Sequence, residues 1–296
     1  MTVSAEREGP HGSLSDGERD ASIAVLRSTA AEAAAAAAQV IRASLGRGQR
    51  VERALPHDLK LWLDRACERE ILGAIRAAFP GHGVLSEEAG YEPGREPCLW
   101  IVDPLDGTVN YHHGIPFFCT SIACYAIAAD SDGGPGVDTG FSLPDGRVVG
   151  PGIVGAIFDP FRDELFSGAS GRGAALNGRP LLPADVTRLD EAVVALSFAA
   201  REESIAYMSR ALPAFTRAAR KVRSLGSTAL DMVQVAAGRI GAFVQMGTNL
   251  WDFAAAAVIV RAAGGVVDAR EYAPGRFRVI ASAPGIFEQV QREAEG

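Results

Sequence analysis

Two aspartates interrupt the most informative segment of the sequence, residues 100–110, which read WIVDPLDGTVN. An apolar run typical of a buried strand leads directly into Asp103 and Asp106, and Pro104 stiffens the turn between them. Carboxylates at the end of a buried strand are costly unless cations neutralise them. Both carboxylates and the Leu105 carbonyl can face one point, and such oxygen ligands suit Mg²⁺. The segment therefore predicts a magnesium site.

Acidic residues also end two other apolar elements. Glu87 follows a short predicted strand, and Asp252 stands at the start of an otherwise apolar predicted helix. Either residue alone could be a helix cap or an N-terminal helix charge. Together with Asp103 and Asp106 they are what a site for several cations needs, because Mg²⁺ binds through a few carboxylates, waters and substrate phosphate. Free backbone N–H groups at the start of a short helix after Gly107 would favour that phosphate.

The first half of the sequence predicts two helices followed by strands. Residues 21–45 are alanine-rich and lack Gly and Pro, and residues 58–78 carry apolar residues at helical spacing. Extended runs bounded by turn residues then predict the strands 83–86, 99–102, 119–128, 153–158 and 164–167. Residues 130–152, rich in Asp, Gly and Pro, predict a solvated hairpin rather than a lid.

The second half alternates strands and helices, which favours α/β layering. The predicted strands are 192–198, 221–225, 242–245 and 266–267, and the predicted helices are 202–220, 227–237, 251–263 and one from residue 284. We therefore expect two tightly packed halves: residues 20–185 carry the metal site, and residues 186–296 contribute Asp252 and substrate contacts. Residues 1–19 are polar and predict a disordered tail.

The composition is that of a globular protein. Of 296 residues, 48% are hydrophobic and 22% charged, which excludes intrinsic disorder and a disulfide scaffold. A net charge of −7 without a dense basic run predicts cations as partners, but neither nucleic acid nor a membrane. The absence of an apolar signal segment predicts a cytoplasmic location. The four cysteines, Cys67, Cys98, Cys119 and Cys124, show no C-x-x-C spacing. We therefore expect them to be reduced, buried thiols and not zinc ligands.

Over about residues 22–292 the chain resembles the inositol monophosphatase family of magnesium-dependent, lithium-sensitive phosphatases. The resemblance rests on LSEE at 85–88, WIVDPLDGTVNY at 100–111, GSTA at 226–229 with AAGR at 236–239, and WDFAA at 251–255 with AGG at 263–265. It implies an α/β fold, the five-layered α-β-α-β-α sandwich of the sugar and inositol phosphatases, and a homodimer.

The resemblance also implies a role for each residue that matches a family position. The first metal would be held by Glu87, Asp103 and the Leu105 carbonyl, and the second by Asp103, Asp106 and Asp252. A third, weaker Mg²⁺ would be associated with Glu87, so that each active site holds two or three ions. Catalytic roles would fall to Asp64, Thr108, Glu87 and Asp106, of which Asp64 and Thr108 orient and deprotonate the attacking water. Phosphate and substrate contacts would come from Gly107, Thr108, Gly226, Thr228, Gln245 and Asp252.

The implied activity is Mg²⁺-dependent hydrolysis of phosphate monoesters of small polyols or sugars, as by an inositol-1-monophosphatase, through in-line attack of a metal-activated water. Fructose-1,6-bisphosphatase and histidinol-phosphatase activities are alternatives on the same metal core. A bisphosphate nucleotidase is less favoured, because residues 109–116 keep the inositol-phosphatase pattern VNYxxGIP. A catalytically silent regulatory homologue is the alternative outside the enzymes, and the intact set of acidic residues with Thr108 argues against it.

Three positions depart from the family pattern, and at one of them Ala256 replaces the Gly that often follows Ala-Ala. Gln245 stands where the family usually has a Glu that bonds the inositol ring, which changes the polyol pattern that the site can recognise. Lys60 lies in a segment where the family commonly has a Val-Thr pair. A solvated lysine is the simpler interpretation of Lys60, and a contact with the third cation or a substrate phosphate is the alternative.

Overall fold

An eight-stranded, mostly antiparallel sheet forms the core of the first half. The computed structural model describes the backbone of residues 16–46, 51–55, 58–128 and 141–295, and the side chains of residues 17–46, 61–127 and 141–295. In chain order the strands of this sheet are β3 (Gly83–Ser86), β4 (Gly90–Glu92), β5 (Cys98–Asp106), β6 (Cys119–Ala128), β7 (Val148–Asp159), β8 (Glu164–Ala169), β9 (Gly173–Leu176) and β10 (Arg179–Pro180). Their spatial order is β10-β9-β8-β7-β6-β5-β3-β4, and only β3 and β5 run parallel.

A five-stranded sheet forms the second half. Its strands are β11 (Val193–Phe198), β12 (Lys221–Arg223), β13 (Ala242–Thr248), β14 (Val266–Ala273) and β15 (Arg276–Ser282). Their order is β12-β11-β13-β15-β14, with β11 parallel to both neighbours and β15 antiparallel to both of its own. Two further strands, β1 (Val51–Leu55) and β2 (Asp58–Leu61), pair with each other in antiparallel fashion and belong to neither sheet.

Helices cover both sheets and separate them. The helices are α1 (Asp16–Ser44), α2 (Trp62–Ala78), α3 (Thr108–His112), α4 (Glu202–Ala218), α5 (Thr228–Ala236), α6 (Leu250–Ala262) and α7 (Phe287–Glu295). One apolar cluster joins α1 and α2 to the outer face of the first sheet, and a second joins α5 and α6 to the inner faces of both sheets. A third joins α4 and α7 to the outer face of the second sheet. The layers are therefore α-β-α-β-α, which confirms the predicted sandwich.

Several predicted elements differ in their bounds. The helix predicted from residue 58 begins at Trp62, because Asp58–Leu61 pair with β1 as a strand. Helix α1 begins at Asp16, inside the segment predicted to be disordered, whereas residues 1–15 lie outside the described residues. Strand β15 was not predicted, and β14 extends well beyond 266–267, because these two strands form one hairpin of the second sheet.

The hairpin predicted over residues 130–152 is described only in part. Residues 129–140 lie outside the described residues, and 148–152 form the beginning of β7. The four cysteines are free thiols; Cys67, Cys119 and Cys124 are buried, as predicted, whereas Cys98 is only partly buried. Among the described residues, no helix is long and apolar enough to cross a membrane.

The contact between α6 and β7 leaves no room for a side chain at Gly155. A Cβ there would lie 2.5 Å from the Ala255 carbonyl oxygen in α6. We expect Gly155→Ala to lower the free energy of unfolding by about 1–3 kcal/mol, because overpacking against backbone forces the layers apart. Denaturant unfolding measures this change. Gly73→Ala in α2 is the matched control, since nothing lies within 4 Å of a Cβ at that position. Equal stabilities of the two variants would contradict the prediction.

Candidate active site

Glu87 and Asp103 lie side by side because each comes directly after one residue of a pair in the parallel strands β3 and β5. Ser86 pairs with Val102 in the register of β3 and β5, and the Glu87 amide donates to the Val102 carbonyl at 3.1 Å. After burial, the charge of Glu87 is the next largest cause of the raised pKa of Asp103. Asp103 is only 2% exposed, so two acidic groups meet at a buried edge of the first sheet.

Asp106 joins this edge to the second half of the chain. Its Oδ2 accepts hydrogen bonds from Ser227 Oγ at 2.6 Å and from the Ala229 amide at 2.7 Å. Both donors belong to the N-terminus of α5, where the helix dipole favours negative charge. Helix α5 therefore stabilises the Asp106 carboxylate and sets its orientation.

Asp252 is held in the same way at the start of α6. The Asn249 amide and Thr248 Oγ1 each donate to its Oδ2 at 2.8 Å, and Asn249 Nδ2 donates at 3.1 Å. Asn249 and Asp252 form the two ends of a capping box. Since all three bonds converge on Oδ2, they orient the carboxylate while Oδ1 remains a ligand atom for a cation.

The four carboxyl groups interact electrostatically. Burial raises the pKa of Asp103 well above its usual value, and the charges of Glu87, Asp106 and Asp252 raise it further. Burial likewise raises the pKa of Asp106 to about 6, although the hydrogen bonds from α5 oppose the shift. Burial is also the main reason why the pKa of Asp252 lies at about 6. Without a cation, this cluster costs free energy whenever it is fully ionised.

Donor chemistry decides which cation fits the cluster. The candidate ligands are carboxylate oxygens and the Leu105 carbonyl. Leu105 lies between Asp103 and Asp106 at the end of β5, where the pairing with β6 shifts register. The Leu105 amide donates to Asp103 Oδ1 at 3.1 Å. Hard oxygen donors with excess negative charge suit Mg²⁺ and similar cations. The residues present therefore fit the predicted magnesium site.

Gly107 and Thr108 directly follow β5 in the chain. Thr108 Oγ1 donates to the Leu105 carbonyl at 2.9 Å. Gly107 has φ 87°, and a Cβ there would lie 3.0 Å from the Phe117 carbonyl oxygen, so both conformation and space favour glycine. Asp64 is the third residue of α2, and its Oδ2 accepts from the Leu61 amide at 2.5 Å. Strand β2, which leads into α2, contacts α3, and this contact places Asp64 at the same end of the fold as Thr108.

The predicted substrate residues of the second half also meet. Thr228 Oγ1 donates to Gln245 Oε1 at 2.8 Å, and both side chains are buried. Gly226 has φ 91°, and a Cβ there would lie 2.8 Å from Asn110 Nδ2. That amide donates to the Phe117 and Leu225 carbonyls, both at 2.8 Å, and so joins the two halves. Their contact with substrate stays a prediction, as does the role of Lys60, whose side chain lies outside those described.

Several supporting residues were not predicted as part of the site. Glu68 Oε1 in α2 accepts from Ser86 Oγ and from the Ala89 amide, and so holds the turn that carries Glu87. Ser227 and Asn249 hold Asp106 and Asp252. A sequence signal for these two exists, because polar residues directly before a predicted helix are N-cap candidates. Glu68 has no such signal, since its partners lie 18 and 21 residues away in the chain.

A further acidic residue, Asp231, lies in α5 and interacts with the charge of Asp106. Neither of its carboxyl oxygens has a hydrogen-bond partner among the described residues, and the side chain is fully buried. Burial, with a contribution from the Asp106 charge, raises its pKa to about 8. Asp231 is therefore a neutral acid at neutral pH and adds no charge to the cluster.

Known families and structures resemble the chain over most of its length. The profile of the inositol monophosphatase family matches residues 23–129 and 148–294. An inositol-1-monophosphatase from Synechocystis sp. is 35% identical over 272 residues, covering 89% of this chain and 86% of that protein. A protein named Nus factor SuhB from Pseudomonas aeruginosa is 36% identical over 211 residues, covering 69% of this chain and 70% of that protein. The structure of inositol monophosphatase from Anabaena superposes with a TM-score of 0.75 at 32% identity, covering 93% of this chain and 96% of that one.

The raised pKa values of the carboxylate cluster predict an unusual dependence of stability on pH. Because the pKa values of Asp106 and Asp252 are raised to about 6, the folded state binds more protons than the unfolded state between about pH 4 and 6. Stability of the metal-free protein due to these groups should therefore rise as the pH falls from about 7.5 to 5. Thermal unfolding in a chelator measures this. Added Mg²⁺ should raise Tm more at the higher pH, where protons compete less.

The Asp252→Asn variant is the control for this prediction. It should gain less stability on acidification than the unmodified chain and respond less to Mg²⁺. The difference between the two proteins isolates the carboxylate from groups with the opposite effect, such as His82, whose pKa burial lowers. Identical pH profiles for both proteins, with and without Mg²⁺, would contradict the prediction.

Proposed function

The chain belongs to the inositol monophosphatase family, and we propose that it hydrolyses phosphate monoesters of small polyols or sugars with Mg²⁺ as cofactor. As a member of this family it is a phosphoric monoester hydrolase. The observation that carries the proposal is that burial, and then the charges of the neighbouring carboxylates, raise the pKa values of Asp103, Asp106 and Asp252, because bound cations would offset both effects. Such a cluster favours metal-assisted phosphoryl transfer over covalent catalysis.

The family pattern assigns the ligands of the metals to these acidic residues and the Leu105 carbonyl. Glu87, Asp103 and the Leu105 carbonyl would hold one ion, and Asp103, Asp106 and Asp252 the other, with a weaker third ion near Glu87. When bound, these ions lower the pKa of water and neutralise charge on the phosphate and leaving oxygen. The chain then has to orient the substrate and the water, and to accept a proton.

Thr108 and Asp64 are the residues proposed to orient and deprotonate water. The hydroxyl proton of Thr108 is already directed at the Leu105 carbonyl, so its oxygen acts as an acceptor towards a water. Asp64 would accept the proton, and the amides of Gly107 and Thr108 would donate to the phosphate. Gly226, Thr228, Gln245 and Asp252 would face the alcohol part of the substrate.

Some relatives are named Nus factor rather than phosphatase, so a silent regulatory homologue is the alternative to an enzyme. Every residue of the proposed catalytic set keeps its functional group in this chain, which favours the enzyme. A cytoplasmic homodimer that binds neither nucleic acid nor a membrane remains our expectation. Failure of the pure protein to release phosphate from any ester in Mg²⁺ would favour the silent homologue.

Phosphate release in Mg²⁺ from a panel of inositol, fructose, histidinol and adenosine phosphates tests the proposal. Asp106→Asn should lower turnover by more than about 100-fold, because loss of even an outer partner of a metal ligand costs about 10–100-fold. Asp163→Asn is the matched control, since Asp163 is exposed and has φ 56°, which asparagine tolerates. Equal turnover of the two variants, both correctly folded by circular dichroism, would overturn the metal role of Asp106.

Substrate preference should depend on Gln245. Its amide both donates and accepts hydrogen bonds, whereas a carboxylate only accepts, so we expect activity on several polyol or sugar phosphates. Gln245→Glu should shift the ratio of kcat/KM values towards inositol 1-phosphate by about 1–3 kcal/mol, the size of a changed polar contact. Measured kcat/KM values for the same panel give that ratio. An unmodified chain with strict preference for inositol 1-phosphate would contradict this prediction.

A further inference from the structure

A second cluster of metal-ligating groups lies on the opposite side of the first sheet from α6. Trp100 in β5 pairs with Cys124 in β6, and Cys98 lies two residues before Trp100 on the same face of the strand. This face is covered by α1 and α2. His82, just before β3, completes the cluster: one ligand atom from each of His82, Cys98 and Cys124 lies within 4.8 Å of the others.

The imidazole of His82 is held in one orientation. Its ring stacks on Phe79 with 4.6 Å between the centroids. Trp100 Nε1 donates to Nδ1 at 3.0 Å, and Nε2 lies 3.2 Å from Glu96 Oε2. Because Nδ1 accepts a hydrogen bond, the ring proton lies on Nε2 and points to Glu96. A histidine whose second N–H bonds a carboxylate is the common arrangement around protein-bound metals.

We propose that His82, Cys98 and Cys124 form a binding site for a thiophilic divalent cation, with Zn²⁺ as the best fit. Two sulfur ligands and an imidazole suit Zn²⁺, whereas Mg²⁺ prefers oxygen. The site is therefore chemically distinct from the carboxylate cluster, and the two should not compete for the same ion.

The geometry needs little adjustment to close around an ion. In a tetrahedral site with Zn–S bonds of about 2.3 Å, two sulfur atoms lie about 3.8 Å apart. The ligand atoms already lie within 4.8 Å of one another, so a bound ion draws them together by a small distance. Because Nε2 of His82 keeps its proton for Glu96, Nδ1 is the ligand nitrogen, and the ion takes the place of the hydrogen bond that Trp100 Nε1 donates to Nδ1. Water can complete the shell from the side of Cys98, which is only partly buried.

Charge balance also favours occupation. Each thiol releases its proton to solvent as the cation binds, so two thiolates neutralise the two positive charges. The bound ion would tie the segment before β3 to β5 and β6, on the strand that carries Asp103 and Asp106.

Co²⁺ is the probe, because thiolate ligands give it an intense near-ultraviolet charge-transfer band that oxygen ligands do not. The full chain, reduced with a phosphine, is titrated with Co²⁺ in excess Mg²⁺ that fills the carboxylate site. We expect one equivalent of Co²⁺ to develop the band and one equivalent of Zn²⁺ to abolish it. Competition with a chromophoric chelator then measures the affinity for Zn²⁺.

Single cysteine variants decide between the proposal and adventitious binding. Cys98→Ser and Cys124→Ala should lose the band and bind Zn²⁺ more than about 100-fold more weakly, since two ligands no longer suffice. Cys67→Ala is the matched control, because Cys67 is a buried thiol of α2 outside the cluster and should leave both readouts unchanged. No band with the unmodified chain, or an equal band with Cys98→Ser, would overturn the proposal.

Discussion

The gathering of fully and partly buried carboxyl groups at one end of the first sheet is the constraint on which the rest of the site depends. Glu87, Asp103, Asp106 and Asp252 come from both halves of the chain, and burial raises the pKa of the last three. Such a cluster is unfavourable in the ionised state, and cations relieve it. Metal binding therefore offsets the unfavourable free energy of holding these charges together in the folded state. For this reason, bound metal stabilises the fold.

Hydrogen bonds to Oδ2 of Asp106 and to Oδ2 of Asp252 hold these two carboxylates in place. The N-terminus of α5 holds Asp106, and the capping box of α6 holds Asp252. Both helices lie in the layer between the two sheets and pack against both. The layer that forms the middle of the core therefore also sets the geometry of the site, so that a packing defect in it is expected to weaken activity as well as stability.

The carboxylate cluster and the proposed site at His82, Cys98 and Cys124 lie on different sides of the first sheet and offer different donor atoms. Oxygen ligands follow the ends of β3 and β5, whereas the sulfur and imidazole ligands lie on the face under α1 and α2. Because β5 contributes to both, an ion at His82, Cys98 and Cys124 would stabilise the strand that positions the carboxylates. The hard oxygen donors and the soft sulfur donors select different cations.

Local sequence determined the apolar strands and the long helices, because these depend on neighbouring residues and on regular periodicity. The turn predicted between Asp103 and Asp106 is wrong, because β5 continues to Asp106 with a shift in its pairing with β6. The family pattern added the fold and the expected roles of Asp64, Thr108 and Gln245. Only the tertiary structure decided that residues 58–61 form a strand with β1, that Glu68 holds the Glu87 turn, and that Cys98 lies beside Cys124. These contacts join residues that are distant in the chain. Strand pairing and the packing of layers bring such residues together, and no local sequence pattern encodes either of these.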